Sequence, residues 1–191
     1  DLALGERGGI VVNDSCQTSD SDIYAIGECA LWEGRIFGLV APGYQMARVV
    51  AAKLCGEEAA FKGADMSTKL KLLGVDVASI GDAHGNTPGA QSYTFSDGIE
   101  QVYKRVIVSE DGTKLLGAVL VGDVDSYSHL LQTMLNDLPL PEFPSVLLLS
   151  DGAADSDTGS AGLASLPDAA QICSCYDVTK GTIKAAVAAG C

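Results

Sequence analysis

The sequence predicts an α+β fold laid out in consecutive pieces, and three observations predict it. A short strand-and-turn stretch leads into an apolar-striped helix near Pro42, alternating strand patterns from Thr68 onward are joined by turn signals such as Asp111-Gly112, and a second striped helix closes that set. The expected pieces are an α/β segment over residues 1–60, an antiparallel sheet with a C-terminal helix over 61–150, a flexible linker over 151–168, and a short helical, cysteine-containing tail over 169–191.

The 191 residues, 47% hydrophobic, suffice for one large domain or two small ones. A net charge of −13 repels phosphate backbones and anionic bilayers, which argues against nucleic acid or a membrane as partner and favours a small molecule or a basic carrier. No apolar run approaches the roughly 20 residues that span a bilayer, so the expectation is a cytoplasmic protein. The six cysteines are unevenly placed in a long chain and read as reduced thiols. The opening Asp1-Leu2 without methionine and the stop at Cys191 give both ends the look of cut boundaries. A Gly-x-Ser-x-Gly elbow, a His-Glu-x-x-His motif and a P-loop are absent from the sequence, which disfavours a hydrolase.

Taken in order, Gly9-Ile10-Val11-Val12-Asn13 reads as a strand and residues 14–22 as a loop. Tyr24-Ala25-Ile26 reads as a short buried strand that Gly27 ends. Glu33-Gly34 sits between apolar flanks as a tight turn. The first helix is expected to start at Pro42, to bury Met46, Ala47, Val50, Ala51 and Leu54, and to stop at Gly56. Strands follow over residues 69–72, 75–80, 91–95, 103–108 and 114–121. The second helix, over residues 126–138, carries Tyr127, Leu130, Leu131, Met134, Leu135 and Leu138 on one stripe, with Asp125 or Ser126 as N-cap. Residues 151–167 hold too little apolar surface to fold. In the tail, Thr179 should cap a short helix whose Ile183, Ala186 and Val187 face inward.

The chemistry concentrates in two places. Glu28, just past Gly27 at the end of a strand, offers a carboxylate that can accept hydrogen bonds from ribose or ribityl hydroxyls; the plain alternative is a strand and an ordinary turn. Cys173-Ser174-Cys175 places two thiols one residue apart, a spacing that suits a soft metal or an iron–sulfur cluster and also occurs by coincidence. His84 and His129 lack a motif-placed nucleophile or carboxylate and read as structural or solvent-facing.

Ile23-Tyr24-Ala25-Ile26-Gly27-Glu28-Cys29-Ala30, followed by Gly38-Leu39-Val40-Ala41-Pro42-Gly43-Tyr44-Gln45-Met46-Ala47, resembles the end of the FAD domain in pyridine nucleotide-disulfide oxidoreductase-like flavoproteins. That resemblance makes residues 1–60 a remnant of an FAD-binding α/β domain, with Gly27, Glu28 and Tyr44 at the cofactor. Glu28 stands where the family more often has Asp, one methylene longer. The run Lys69-Leu70-Lys71-Leu72-Leu73-Gly74-Val75-Asp76-Val77-Ala78-Ser79-Ile80-Gly81-Asp82 resembles the α+β domain of NAD(P)H-dependent nitrite reductase large subunits. Ile172-Cys173-Ser174-Cys175-Tyr176-Asp177-Val178-Thr179-Lys180 resembles the start of a bacterioferritin-associated ferredoxin-like 2Fe-2S domain, which makes Cys173 and Cys175 cluster ligands. That domain completes its site with a Cys-x-x-Cys pair that these residues do not include, and Cys191 does not match it.

Together the resemblances imply a fragment of a reductase in nitrogen assimilation that passes electrons from NAD(P)H through FAD and iron–sulfur centres to a sirohaem, with 4Fe-4S and sirohaem outside this chain, and reduces nitrite to ammonia. A small subunit or a second copy is the implied protein partner. The alternatives are the electron-transfer subunit of an assimilatory nitrate reductase, or a non-enzymatic docking or dimerisation module. No Gly-x-Gly-x-x-Gly follows a strand, so the residues present supply no diphosphate cradle, and the isolated chain is expected to be inactive and to hold neither FAD nor a cluster firmly.

Overall fold

The structure, a computed structural model, describes residues 1–149, 166–173 and 178–190. The expected linker falls outside the described residues except for residues 166–168, and Cys175 and Cys191 fall outside them too. The chain divides into two compact units, one built on Asp1–Met66 and the other on Ser67–Ile172, with residues 178–190 grouped with the second.

In the first unit, β1 (Ile10–Val12) pairs in parallel with β2 (Ala30–Trp32), and β2 pairs antiparallel with β3 (Arg35–Ile36). The β2–β3 turn is the expected Glu33-Gly34, both at positive φ (45° and 76°), the twist that a two-residue hairpin needs. Tyr24-Ala25-Ile26 is not a strand. Tyr24 makes an isolated bridge to Gln17 and Ile26 is 41% exposed, because local bonds organise the preceding loop: Asp20 N–H donates to Thr18 Oγ1 and Asp22 N–H to Asp20 Oδ1. Trp32, Phe37 and Phe61 meet edge to face or tilted over a core completed by Val12, Met46 and Val49, and Trp32 Nε1 donates to Asp14 Oδ1 at 3.0 Å.

The helix α1 (Val40–Leu54) starts two residues before Pro42. Pro42 lies in the first turn, where N–H groups have no partner within the helix, so its missing donor costs nothing. The buried stripe is Pro42, Met46 and Val49, whereas Ala51 and Leu54, expected inside, are exposed.

The second unit is a five-stranded antiparallel sheet in the order β4-β5-β8-β7-β6. Its strands are β4 (Thr68–Leu72), β5 (Val75–Gly81), β6 (Gln91–Asp97), β7 (Val102–Val108) and β8 (Leu115–Val121), each overlapping its expected counterpart. The register aligns Ala78, Leu120 and Lys104 in one row and Ile80, Ala118 and Val106 in the next, and these rows form the buried face. Full burial of Ile80 and Leu120 stabilises the sheet by about 1.5–3 kcal/mol each. Asp111 Oδ1 gathers the Ser109 hydroxyl and both the N–H and the hydroxyl of Thr113, bonds that hold its carboxyl well below the usual range, at about 2.

The helix α2 (Tyr127–Leu135) packs on β8 and β5 and is shorter than expected. Asp137, at φ 49°, takes the chain out of the helix, and Leu138 N–H closes back on the Thr133 carbonyl. Leu130, Gln132 and Thr133 are the buried residues, and Leu135 is 36% exposed. Ser126 occupies the N-cap but its hydroxyl makes no cap bond. A 3₁₀ turn over Pro144–Leu148, unforeseen from the sequence, lays Leu148 into the same core.

The described tail is a two-stranded pairing of β9 (Gln171–Cys173) with β10 (Val178–Thr179), followed by α3 (Lys180–Ala188). Thr179 caps α3 as expected, its Oγ1 accepting from Thr182 N–H at 3.2 Å. The expected inner side of α3 is not buried: Ile183 is 42% and Val187 67% exposed. What fixes the helix is polar, with Lys184 Nζ 2.9 Å from Asp168 Oδ1 and Gly181 N–H on the Asp168 carbonyl. The α+β expectation, an antiparallel sheet with a C-terminal helix, matches the structure.

Candidate functional site

Gly27, Glu28 and Cys29 form a single 3₁₀ turn between the Tyr24 bridge and β2. Gly27 holds φ 71°, a conformation that L side chains rarely adopt, and this reverses the chain so that Glu28 stands at the turn's exposed tip. The turn is backed by α1: a Cβ built at Gly43 would lie 3.6 Å from Gly27 Cα, so helix and turn approach backbone to backbone. A Cβ at Gly38 would lie 3.4 Å from Glu28 Oε1, which places the carboxylate beside the segment that enters α1.

The N-terminus of α1 carries no side-chain cap, its N-cap being Leu39, and no acidic residue stands in its first turn. The first N–H groups and the positive end of the helix dipole are thus left for an electron-rich ligand atom. Val40 and Tyr44, in this first turn and the next, are 67% and 52% exposed, so large apolar and aromatic surface accompanies these donors. Glu28 accepts hydroxyl donors, the α1 terminus donates to carbonyl or ring nitrogen, and glycines at 27, 38 and 43 leave room for close approach. That donor and acceptor set fits a flavin's ribityl chain and pyrimidine edge.

The free thiols differ in their settings. Cys16 is fully buried, and burial together with the Asp14 charge pushes its thiol pKa up. Cys29 Sγ donates to the Ile26 carbonyl at 3.3 Å. Cys173 is half-buried on β9, and its partner in the Cys-x-Cys pair lies outside the described residues. Among the described residues no group of three or more His, Cys, Asp and Glu could hold a metal ion. His84 is exposed and His129 half-buried on α2. No helix among the described residues is long and apolar enough to cross a membrane.

The residue that sequence reasoning missed is Met46. It was legible only as one member of an apolar stripe, yet its sulfur accepts the Gly27 N–H at 3.3 Å.

Residues 1–53 match the pyridine nucleotide-disulphide oxidoreductase family, and residues 67–138 match the rubredoxin NAD+ reductase C-terminal domain. Over 192 aligned residues the chain is 62% identical to the nitrite reductase (NADH) large subunit of Escherichia coli (strain K12), an alignment covering 100% of this chain and 22% of that protein. The chain is homologous to NAD(P)H nitrite reductase large subunits. It spans about a fifth of the length of those nitrite reductase relatives, 18–22%. The assimilatory nitrate reductase electron transfer subunit of Bacillus subtilis (strain 168) is 35% identical over 184 residues, covering 94% of this chain and 22% of that one. Among solved structures, NADH:rubredoxin oxidoreductase from Clostridium acetobutylicum superposes with a TM-score of 0.51 at 28% identity, covering 69% of this chain and 33% of that one. The nitrite reductase homology runs through both units, and the nitrate reductase alternative has no stronger support.

Proposed function

We propose that this chain is the part of an NAD(P)H-dependent nitrite reductase large subunit that completes one side of the FAD pocket and leads into a 2Fe-2S domain. The observation that carries the reading is the Gly27–Glu28 turn set against the uncapped start of α1, in a chain homologous to such subunits along its whole length. Bound FAD would supply the exchange between hydride chemistry with NAD(P)H and single-electron transfer toward iron–sulfur centres.

The chain's own residues bind and orient. Glu28 accepts ribityl hydroxyls, its extra methylene over Asp accommodated at the open tip of the turn. The N–H groups at the start of α1 would hold the pyrimidine edge, where the positive helix end favours an electron-rich ring. Tyr44 lays aromatic surface beside the same terminus. Cys173 and Cys175 would give two thiolates to a 2Fe-2S cluster whose other pair lies beyond these residues. Electrons leaving the flavin would pass on through iron–sulfur and 4Fe-4S centres to a sirohaem outside this chain, where nitrite would be reduced to ammonia. A small subunit or a second copy is the protein partner, and the cytoplasm is the compartment.

The test is to purify the full-length protein carrying this chain, measure flavin content by absorbance, and follow NAD(P)H oxidation with and without nitrite. Flavin at about one per chain and nitrite-dependent oxidation are expected. Flavin-free protein, or oxidation indifferent to nitrite, would overturn the reading.

A further inference from the structure

We propose that Met46 is a positioning residue for the flavin-contacting turn, acting through a thioether hydrogen bond. The proposal rests on the flavin reading above and names a residue that the reading does not use. Met46 lies on the buried stripe of α1, is fully buried, and brings its Sδ to 3.3 Å from Gly27 N, the first residue of the turn. Gly27 is the pivot of that turn. Its φ of 71° turns the chain, and the following residue is Glu28.

A backbone N–H that is drawn out of water without an acceptor is costly, so what accepts the Gly27 N–H decides where the peptide plane before Gly27 points. The plane in turn fixes the direction in which Glu28 leaves the turn. Sulfur is a weak acceptor, but a polarisable one on an unbranched chain, able to reach a backbone donor without forcing the helix away from it. The close approach of Gly43 to Gly27 keeps helix and turn in register for that contact. Met46 thereby links the two halves of the site, the helix that presents N–H groups and the turn that presents a carboxylate. A side chain that merely fills space would supply the volume and leave the peptide plane free to rotate.

Met46→Leu keeps the apolar volume and removes the acceptor, while Met46→Gln offers a carbonyl oxygen at comparable reach. In the full-length protein, the Leu variant is expected to raise the FAD dissociation constant about five-fold. It should also speed deuterium uptake in the flavin-free protein at a peptide spanning Gly27, with far-ultraviolet circular dichroism unchanged. The Gln variant is expected to restore slow uptake and the affinity. The slow uptake of wild-type protein at that peptide is a further check that needs no variant to fold.

Unchanged affinity and uptake in the Leu variant would overturn the proposal, as would equal losses in both variants, since Met46 would then be only a filler. Fast uptake in the wild type would overturn it as well. Wild-type protein that binds no flavin would instead defeat the reading on which the proposal rests. Flavin-binding wild-type protein with an equally tight Leu variant defeats the proposal alone.

Discussion

Lys104 Nζ lies 2.6 Å from Asp123 Oδ2 while the lysine side chain is only 2% exposed and the aspartate 24%. The ammonium therefore sits on the buried face of the sheet, in the row of Ala78 and Leu120, and the carboxylate meets it from the partly wet end of β8. Losing the aspartate takes the counter-charge from a buried ammonium, whereas replacing the lysine by an apolar side chain leaves a carboxylate that water still reaches. Asp123→Ala is expected to destabilise the protein by about 3 kcal/mol, and Lys104→Met by about 1 kcal/mol or less. Urea unfolding midpoints compare them; a loss in Lys104→Met as large as that in Asp123→Ala would show that the carboxylate depends on its partner as much as the ammonium does, against this prediction.

Glu28 carries the ribityl contact in the proposed function. Glu28→Ala should raise the flavin dissociation constant roughly ten-fold, the worth of a hydrogen bond to a charged group. Glu28→Asp, which restores the family's shorter side chain, should stay within about three-fold of the parent. Fluorescence of released flavin measures both.

Gly117 lies where a Cβ would come within 2.5 Å of the Asp82 carbonyl group, and backbone cannot yield as a side-chain tip can. Gly117→Ala is expected to cost about 3 kcal/mol or more in thermal or chemical unfolding. Gly98→Ala, with open space around it, is the control.

Asp111, with its carboxyl held at about 2 by Ser109 and Thr113, gives the β7–β8 turn a pH dependence. The folded value lies below the unfolded 3.8, so the stabilisation is present above about pH 4 and is lost as pH falls toward 2. Asp111→Asn should be less stable than the parent at neutral pH and should lose less on acidification across that window. Unfolding midpoints at pH 7, 4 and 2.5 would show the two curves converging.

The strands were legible because their signals are local: Gly34 and Gly112 take the positive φ of the turns they mark, and alternating residues meet across the register. The helix faces were less so. Ala51, Leu54, Ile183 and Val187 satisfy an apolar period yet are exposed, because helix length and available neighbours, not period, decide which part of a stripe is covered. Conversely Gln132 is buried through a bond to the Gln171 carbonyl, 39 positions away, which no local pattern carries. At the candidate site, Gly27 and Glu28 stood out as a glycine and a carboxylate past an apolar run, although the run proved to be a bridge and not a strand. Met46 did not, since a sulfur acting as an acceptor looks in sequence like any core methionine.

The strand order has a consequence in time. Hairpins β4–β5 and β6–β7 need only neighbouring residues, but β5 and β7 are joined solely through β8, whose residues Leu115–Val121 come last of the five. During synthesis from the N-terminus, two separate hairpins must wait with unpaired edges until β8 leaves the ribosome and slots between them. A stall or a premature stop before Val121 would release both hairpins with those edges open, so nascent chains of that length are the ones most prone to aggregate.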